Sequence, residues 1–159
     1  MRTLLPTIAF ATVLAAFGAV HLPAQATDPV TGTWELNTAK SKFDPGPAPK
    51  SQTRTYVVVG QEIKGSSKGI GGDGKPTSAQ WTVNYDGKER PVTGSPDLDA
   101  LSLKRIDTFT TESTHKRAGK VVATAMRVVS KDGKILTITT KGTNAKGQPF
   151  NNVEVFDRR

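Results

Sequence analysis

The chain contains no cysteine. No disulfide can staple it, no thiolate can serve as nucleophile or metal ligand, and no lipidated cysteine can tether it. Its stability therefore has to come from packing. Histidine is almost as scarce. Of the two present, His21 falls in an N-terminal apolar run, which leaves His115 alone in the remainder. Zinc wants three or four nitrogen or sulfur ligands, and one imidazole cannot supply them, so the expectation is no metal and no cofactor. Beyond the N-terminus no apolar run is long enough to cross a bilayer as a helix. Helical periodicity is also missing, apart from one candidate turn.

The N-terminal run has the form of a leader. Met1 and Arg2 give a short positive start, residues 4–22 are almost wholly apolar, and Ala24-Gln25-Ala26 fits the small-x-small cleavage pattern. This predicts a secretory signal peptide over 1–26, cut after Ala26. A membrane anchor would instead need ~20 apolar residues without a cleavage site. The expected product is a periplasmic or secreted protein of residues 27–159, one domain with no transmembrane anchor.

What the chain does have is alternation. Gly32-Thr33-Trp34-Glu35-Leu36-Asn37 places Trp34 and Leu36 on one face, and residues 77–85 place Ala79, Trp81, Val83 and Tyr85 on one face. Residues 51–59 and 61–67 read as two further strands. Pro91 keeps 89–94 short or at an edge. The last fifty residues form a meander, with strands at 108–117, 121–129, 135–141 and 150–157. They are separated by Ala118-Gly119, Asp132-Gly133 and a loop over 142–148. Asp-Gly between apolar runs is a strong hairpin signal, because the favoured tight turn needs positive φ at both central residues. Ser95-Pro96-Asp97 has the grammar of a helix start and predicts one helical turn over 97–101. The pattern is all-β: an antiparallel up-and-down meander closing into a barrel of about 8–10 strands, with a two-sheet sandwich as the alternative.

Chemistry is harder to find. Gly69, Gly71 and Gly74 spell G-x-G-x-x-G, and residues 69–75 spell most of a phosphate-binding loop. A phosphate cradle needs that loop to open a helix. Here Pro76 stands where Ser or Thr belongs and a strand follows, so no nucleotide is expected. Asp97 and Asp99 lack calcium-loop spacing. No serine sits in a nucleophile-elbow context and no nucleophile–base pair is legible, so the expectation is a protein that is not an enzyme. The formal charge is +8, but the basic residues are dispersed, as in Lys131/Lys134 and Lys141/Lys146. They suit a solvated surface that protects sheet edges, or alternatively a basic face for an anionic envelope polymer or a partner protein.

Gly32-x-Trp34 on the first strand, a meander, and an arginine directly after the last strand resemble the calycin plan shared by lipocalins, fatty-acid-binding proteins and avidin-like barrels. More loosely, the chain is similar to small exported bacterial proteins of unknown function. In calycins the tryptophan closes one end of the barrel and an arginine from the last strand packs over it. The resemblance implies that role for Gly32, Trp34 and Arg158, with Arg159 as the other candidate. The chain departs from the plan in having no helical lid after the first strand, no disulfide and no room for a C-terminal helix.

Alternation then nominates the interior: Trp34, Leu36, Ile63, Trp81, Val83, Tyr85, Phe109, Met126, Leu136, Ile138, Val153 and Val155. Trp81, Tyr85 and Phe109, with His115 and Met126, are the candidate ligand-binding set. A small barrel is either filled by its side chains or holds one small ligand. The leading expectation is an exported, non-catalytic binding protein for a small, largely apolar molecule.

Overall fold

The computed structural model describes residues 27–144 and 146–159. The leader assigned to residues 1–26 lies outside the described residues. Each run that alternates in the sequence becomes a strand, and each Gly-rich break becomes a turn. The strands are β1 Gly32–Leu36, β2 Ser51–Val59, β3 Glu62–Ile70, β4 Pro76–Asn84 and β5 Arg90–Thr93. They continue with β6 Ala100–Arg105, β7 Thr110–Arg117, β8 Lys120–Val129, β9 Ile135–Thr143 and β10 Pro149–Arg158. Every strand pairs antiparallel with its sequence neighbours, and β1 also pairs with β10, Trp34 opposite Arg158 and Leu36 opposite Phe156. The ten strands therefore form one closed barrel, an up-and-down arrangement that leaves no free sheet edge. The sandwich alternative is ruled out. Among the described residues no helix is long and apolar enough to cross a membrane.

Local chemistry sets the turns. Ala118 and Gly119 both take positive φ (49° and 76°), as a two-residue hairpin between Arg117 and Lys120 requires. The strain at Ala118 is offset by Asp99, whose carboxylate accepts the Ala118 N–H at 2.8 Å. The glycines at 69–74 lie at the end of β3 and in the β3–β4 hairpin turn, where the Gly71 and Lys75 backbones bond at 2.8 Å.

The helical turn expected over 97–101 does not form. Ser95 Oγ does accept the Asp97 N–H at 3.2 Å, as a cap would. Asp99, however, is held by sheet-like bonds: its carbonyl accepts from Val92 and its N–H donates to Lys116. This draws residue 100 into β6 instead.

Packing is unequal along the barrel. The largest fully buried side chains are Trp34, Phe156, Ile63, Leu136, Val30 and Val83. All six stand at the end where β1 begins and where β3 and β9 start, the closed end. None stands near the opposite rim, formed by the β3–β4, β7–β8 and β9–β10 turns.

Two strands present the opposite face from the one alternation suggests. On β8 the buried side chains are Ala123, Ala125, Arg127 and Val129, and Met126 is 40% exposed on the outer wall. On β10 Glu154 and Phe156 are buried, so Val153 and Val155 face outward. Both strands carry apolar residues on both faces, and the inner face is obscured because the barrel interior accommodates the charged Arg127 and Glu154.

Candidate functional site

The closed end is built on Trp34. Its indole N–H donates to Val30 O at 2.8 Å, and the Arg158 guanidinium lies 4.1 Å from its ring centroid, a cation–π distance. Arg158 also donates to the carbonyls of Thr31 (2.6 Å) and Pro29 (2.7 Å). Gly32 (φ 129°) lets the guanidinium in, since a Cβ there would stand 2.6 Å from Arg158 Nη1. The structure thus brings Gly32, Trp34 and Arg158 into one cluster. Arg159 instead pairs with Glu35 on the surface.

Tyr85 and Phe109 also belong to this half, away from the rim. The Tyr85 hydroxyl donates to Asp28 at 2.7 Å, and Arg105 stacks 3.8 Å from its ring centroid while pairing with the same Asp28 carboxylate. Burial pushes the phenol up to about 12, with Arg127 opposing and Asp28 reinforcing the shift. Burial would raise the Asp28 carboxyl too, but the Val30 N–H, Tyr85 and Arg105 hydrogen bonds outweigh it and hold it below the usual range. Phe109 packs on the core cluster.

The other half is hollow. Beneath β2–β6 a cavity of about 320 Å³ opens at the rim, with Trp81, Ala79, Val92, Leu98 and Leu101 on its apolar walls and Arg54, Ser67 and His115 among its polar ones. A second cavity of about 500 Å³ lies under β7–β10 and shares Asp97, Leu98 and His115 with the first. Val122, Phe150 and Pro45 supply its apolar surface, and Arg117, Lys120, Asn144 and Asn152 its polar surface. A narrow space of about 70 Å³ continues downward between Tyr56, Trp81, Leu103, Arg127 and Ile138. The two upper volumes fall at or within the ordinary size range of small-molecule sites.

Trp81 can lie flat inside the wall only because β3 has Gly65 opposite it. A Cβ at Gly65 would sit 2.1 Å from the indole. Trp81 also meets Tyr56 edge-on, ring centroids 6.0 Å apart at 67°. His115 is aimed inward just where the β7–β8 register slips by one residue, leaving Val122 as the extra residue beside it. Its Nε2 sits 3.0 Å from Ser113 Oγ. Burial, and then the nearby Arg54 charge, push the imidazole down to about 4, so it is neutral at neutral pH.

The interior arginines are already engaged. Arg54 pairs with Glu154 at 3.4 Å, both side chains mostly buried, and its guanidinium stands 5.3 Å from the Phe156 centroid. Arg127 stands 5.1 Å from the Tyr56 centroid and donates to the Tyr85 hydroxyl at 3.4 Å. Among the described residues no group of three or more His, Asp or Glu side chains is placed to hold a metal ion.

Of the five side chains nominated for ligand contact, the structure therefore brings together Trp81 and His115. Tyr85 and Phe109 serve the closed end, and Met126 lies outside. Arg54, Ser67, Leu98 and Leu101 belong to the cavity and escape sequence reasoning. Leu98 does so because it reads as part of a helical turn. Arg54 does so because β2, with polar and apolar residues on both faces, does not declare which face is inner. Lys131/Lys134 and Lys141/Lys146 sit toward opposite ends of β9 and so do not share one patch.

No family model and no curated protein matches the chain. Among solved structures it is similar to zebrafish ileal bile acid-binding protein complexed with cholic acid. The identity is 12% and the TM-score 0.49, over 82% of this chain and 99% of that one. It is also similar to Rv2717c from M. tuberculosis, at 11% identity and a TM-score of 0.47, over 82% of this chain and 93% of that one.

Proposed function

We propose that this barrel is an exported, non-catalytic binding protein that takes a small, largely apolar molecule through its open rim. The observation that carries the reading is the division of the interior. Every large, fully buried side chain stands at the closed end, while the rim half holds cavities of about 320 and 500 Å³. Apolar walls with a few convergent polar groups are the usual make-up of a small-molecule site. Trp81, Leu98 and Leu101 provide the apolar contact, and Ser67, Ser113 and the neutral His115 provide hydrogen bonds. Arg54 is neutralised by Glu154, which suits a ligand whose inner part carries no charge.

The test is uptake of a fluorescent apolar probe such as N-phenyl-1-naphthylamine, together with mass spectrometry of solvent extracts from natively purified protein. Saturable uptake near one probe per chain is expected, and Leu101→Trp, which fills the cavity beside Trp81, should abolish it. No uptake, or uptake indifferent to Leu101→Trp, would defeat the reading.

A further inference from the structure

The two cavities at the rim differ in charge, and the difference assigns the ligand's chemistry and orientation. The cations facing the inner space have partners: Arg54 has Glu154, and Arg127 has the Tyr56 ring and the Tyr85 hydroxyl. At Arg54 an anionic head group would have to displace Glu154 and leave it desolvated and unpaired, which is strongly unfavourable, and at Arg127, which has no acid partner, the space of about 70 Å³ is too narrow for a hydrated head group. Arg117 and Lys120 differ. Both border the cavity under β7–β10, both are exposed, and among the described residues neither belongs to an ion pair. The one acid lining the same cavity is Asp97. The Asp99 carboxylate nearby is taken by the Ala118 N–H. From these cations an apolar path leads inward past Leu98, which borders both cavities and packs on the core cluster, to Leu101 and Trp81.

Resting on the binding reading above, we propose that the ligand is an amphiphilic anion held head-outward. Its carboxylate, sulfate or phosphate lies between Arg117 and Lys120, and its apolar body runs past Leu98 and His115 to Trp81. The two-residue turn fixes both cations. Arg117 and Lys120 are the paired residues flanking Ala118-Gly119, and Asp99 pins that turn to the strap of residues 94–99 that carries Leu98. Head group and chain are thus gripped by one connected piece of backbone.

Calorimetric titration with dodecanoate and with dodecanol, equal in chain length and different in charge, tests this. Exposed cations contribute modestly and are screened by salt. The double variant Arg117→Glu with Lys120→Glu should therefore weaken dodecanoate about tenfold while leaving dodecanol unchanged, which also reports that the variant is folded. Raising salt should weaken dodecanoate alone, and Asp97→Asn should tighten it about twofold. An unchanged dodecanoate affinity in the double variant, or a loss suffered equally by dodecanol, would overturn the head-outward assignment. If neither compound binds the wild-type chain, the binding reading itself fails.

Discussion

Arg158 gives one hydrogen bond from each guanidinium nitrogen, to the carbonyls of Gly133, Thr31 and Pro29, while its face covers Trp34. Three carbonyls from two backbone segments and the buried indole are tied by one side chain. Arg158→Ala should lower unfolding stability by about 1–3 kcal/mol, the range for hydrogen bonds to a charged group at a partly exposed site. Arg158→Lys should restore less than half, because an ammonium cannot reproduce the planar fork. Urea denaturation reads both, and an unchanged midpoint in Arg158→Ala would remove the residue from the closure. His115 makes a second prediction. Its folded pKa of about 4 lies below the ordinary value of 6.5, so on acidification the unfolded chain takes up the proton first. Stability should be complete above about pH 6.5 and fall progressively toward pH 4, by on the order of 2 kcal/mol. Asp28, whose pKa is also depressed, withdraws its contribution only as the pH falls further, below the ordinary carboxylate range. Unfolding between pH 7 and 4.5 should show the loss in the wild type and not in His115→Gln. Equal slopes would contradict the account.

β8 shows how much an element discloses before its structure is known. β2 is legible over its whole length, since Gly60 stops it and Pro49 precedes it. β8 is just as recognisable as a strand, but in neither is the inner face legible. Met126 and Val128 are more apolar than the Ala125 and Arg127 that actually turn inward, and hydrophobic alternation selects the wrong set. Only the register with β7 and β9, Met126 opposite Glu112 and Thr139, settles it. The same slip affects β10, where Glu154 goes inside to meet Arg54. Charge placed inside a barrel defeats a rule that assumes an apolar interior. Met126→Lys should therefore change stability by less than about 0.5 kcal/mol, as at an ordinary surface site. Ala125→Lys should cost more than about 3 kcal/mol by burying an unpaired cation beside Arg127. A reversed order in thermal unfolding would mean that β8 faces the other way. The strap at residues 94–99 failed as a helix for a related reason: its capping serine and proline are genuine local signals, but Asp99 finds longer-range partners on β5 and β7.

At the scale of the whole molecule, closure and hollowness fall to different residues at opposite ends of the barrel. The ten strands leave no free edge, and a chain without disulfides then fixes its shape by packing Trp34, Phe156, Ile63, Leu136, Val30 and Val83 into one end. That end was largely readable in advance, because the resemblance carried by Gly32-x-Trp34 and an arginine at the end of the last strand implies it. The open end was legible only at Trp81 and His115. Its walls come from single residues of many strands, among them Arg54, Ser67, Trp81, Leu101 and His115, and their meeting depends on barrel geometry that no local pattern records. The two tryptophans report on the two halves separately, Trp34 in the packed end and Trp81 in the cavity wall. The most direct test is a nitrogen–proton correlation spectrum recorded while an apolar amphiphile such as dodecanoate is titrated in. The account predicts that the Trp81 indole N–H, with the amides of Leu98, Leu101 and His115, shifts saturably while the Trp34 indole N–H stays in place. Movement of Trp34 with Trp81 fixed, or no movement at either indole, would contradict a barrel packed at one end and receptive at the other.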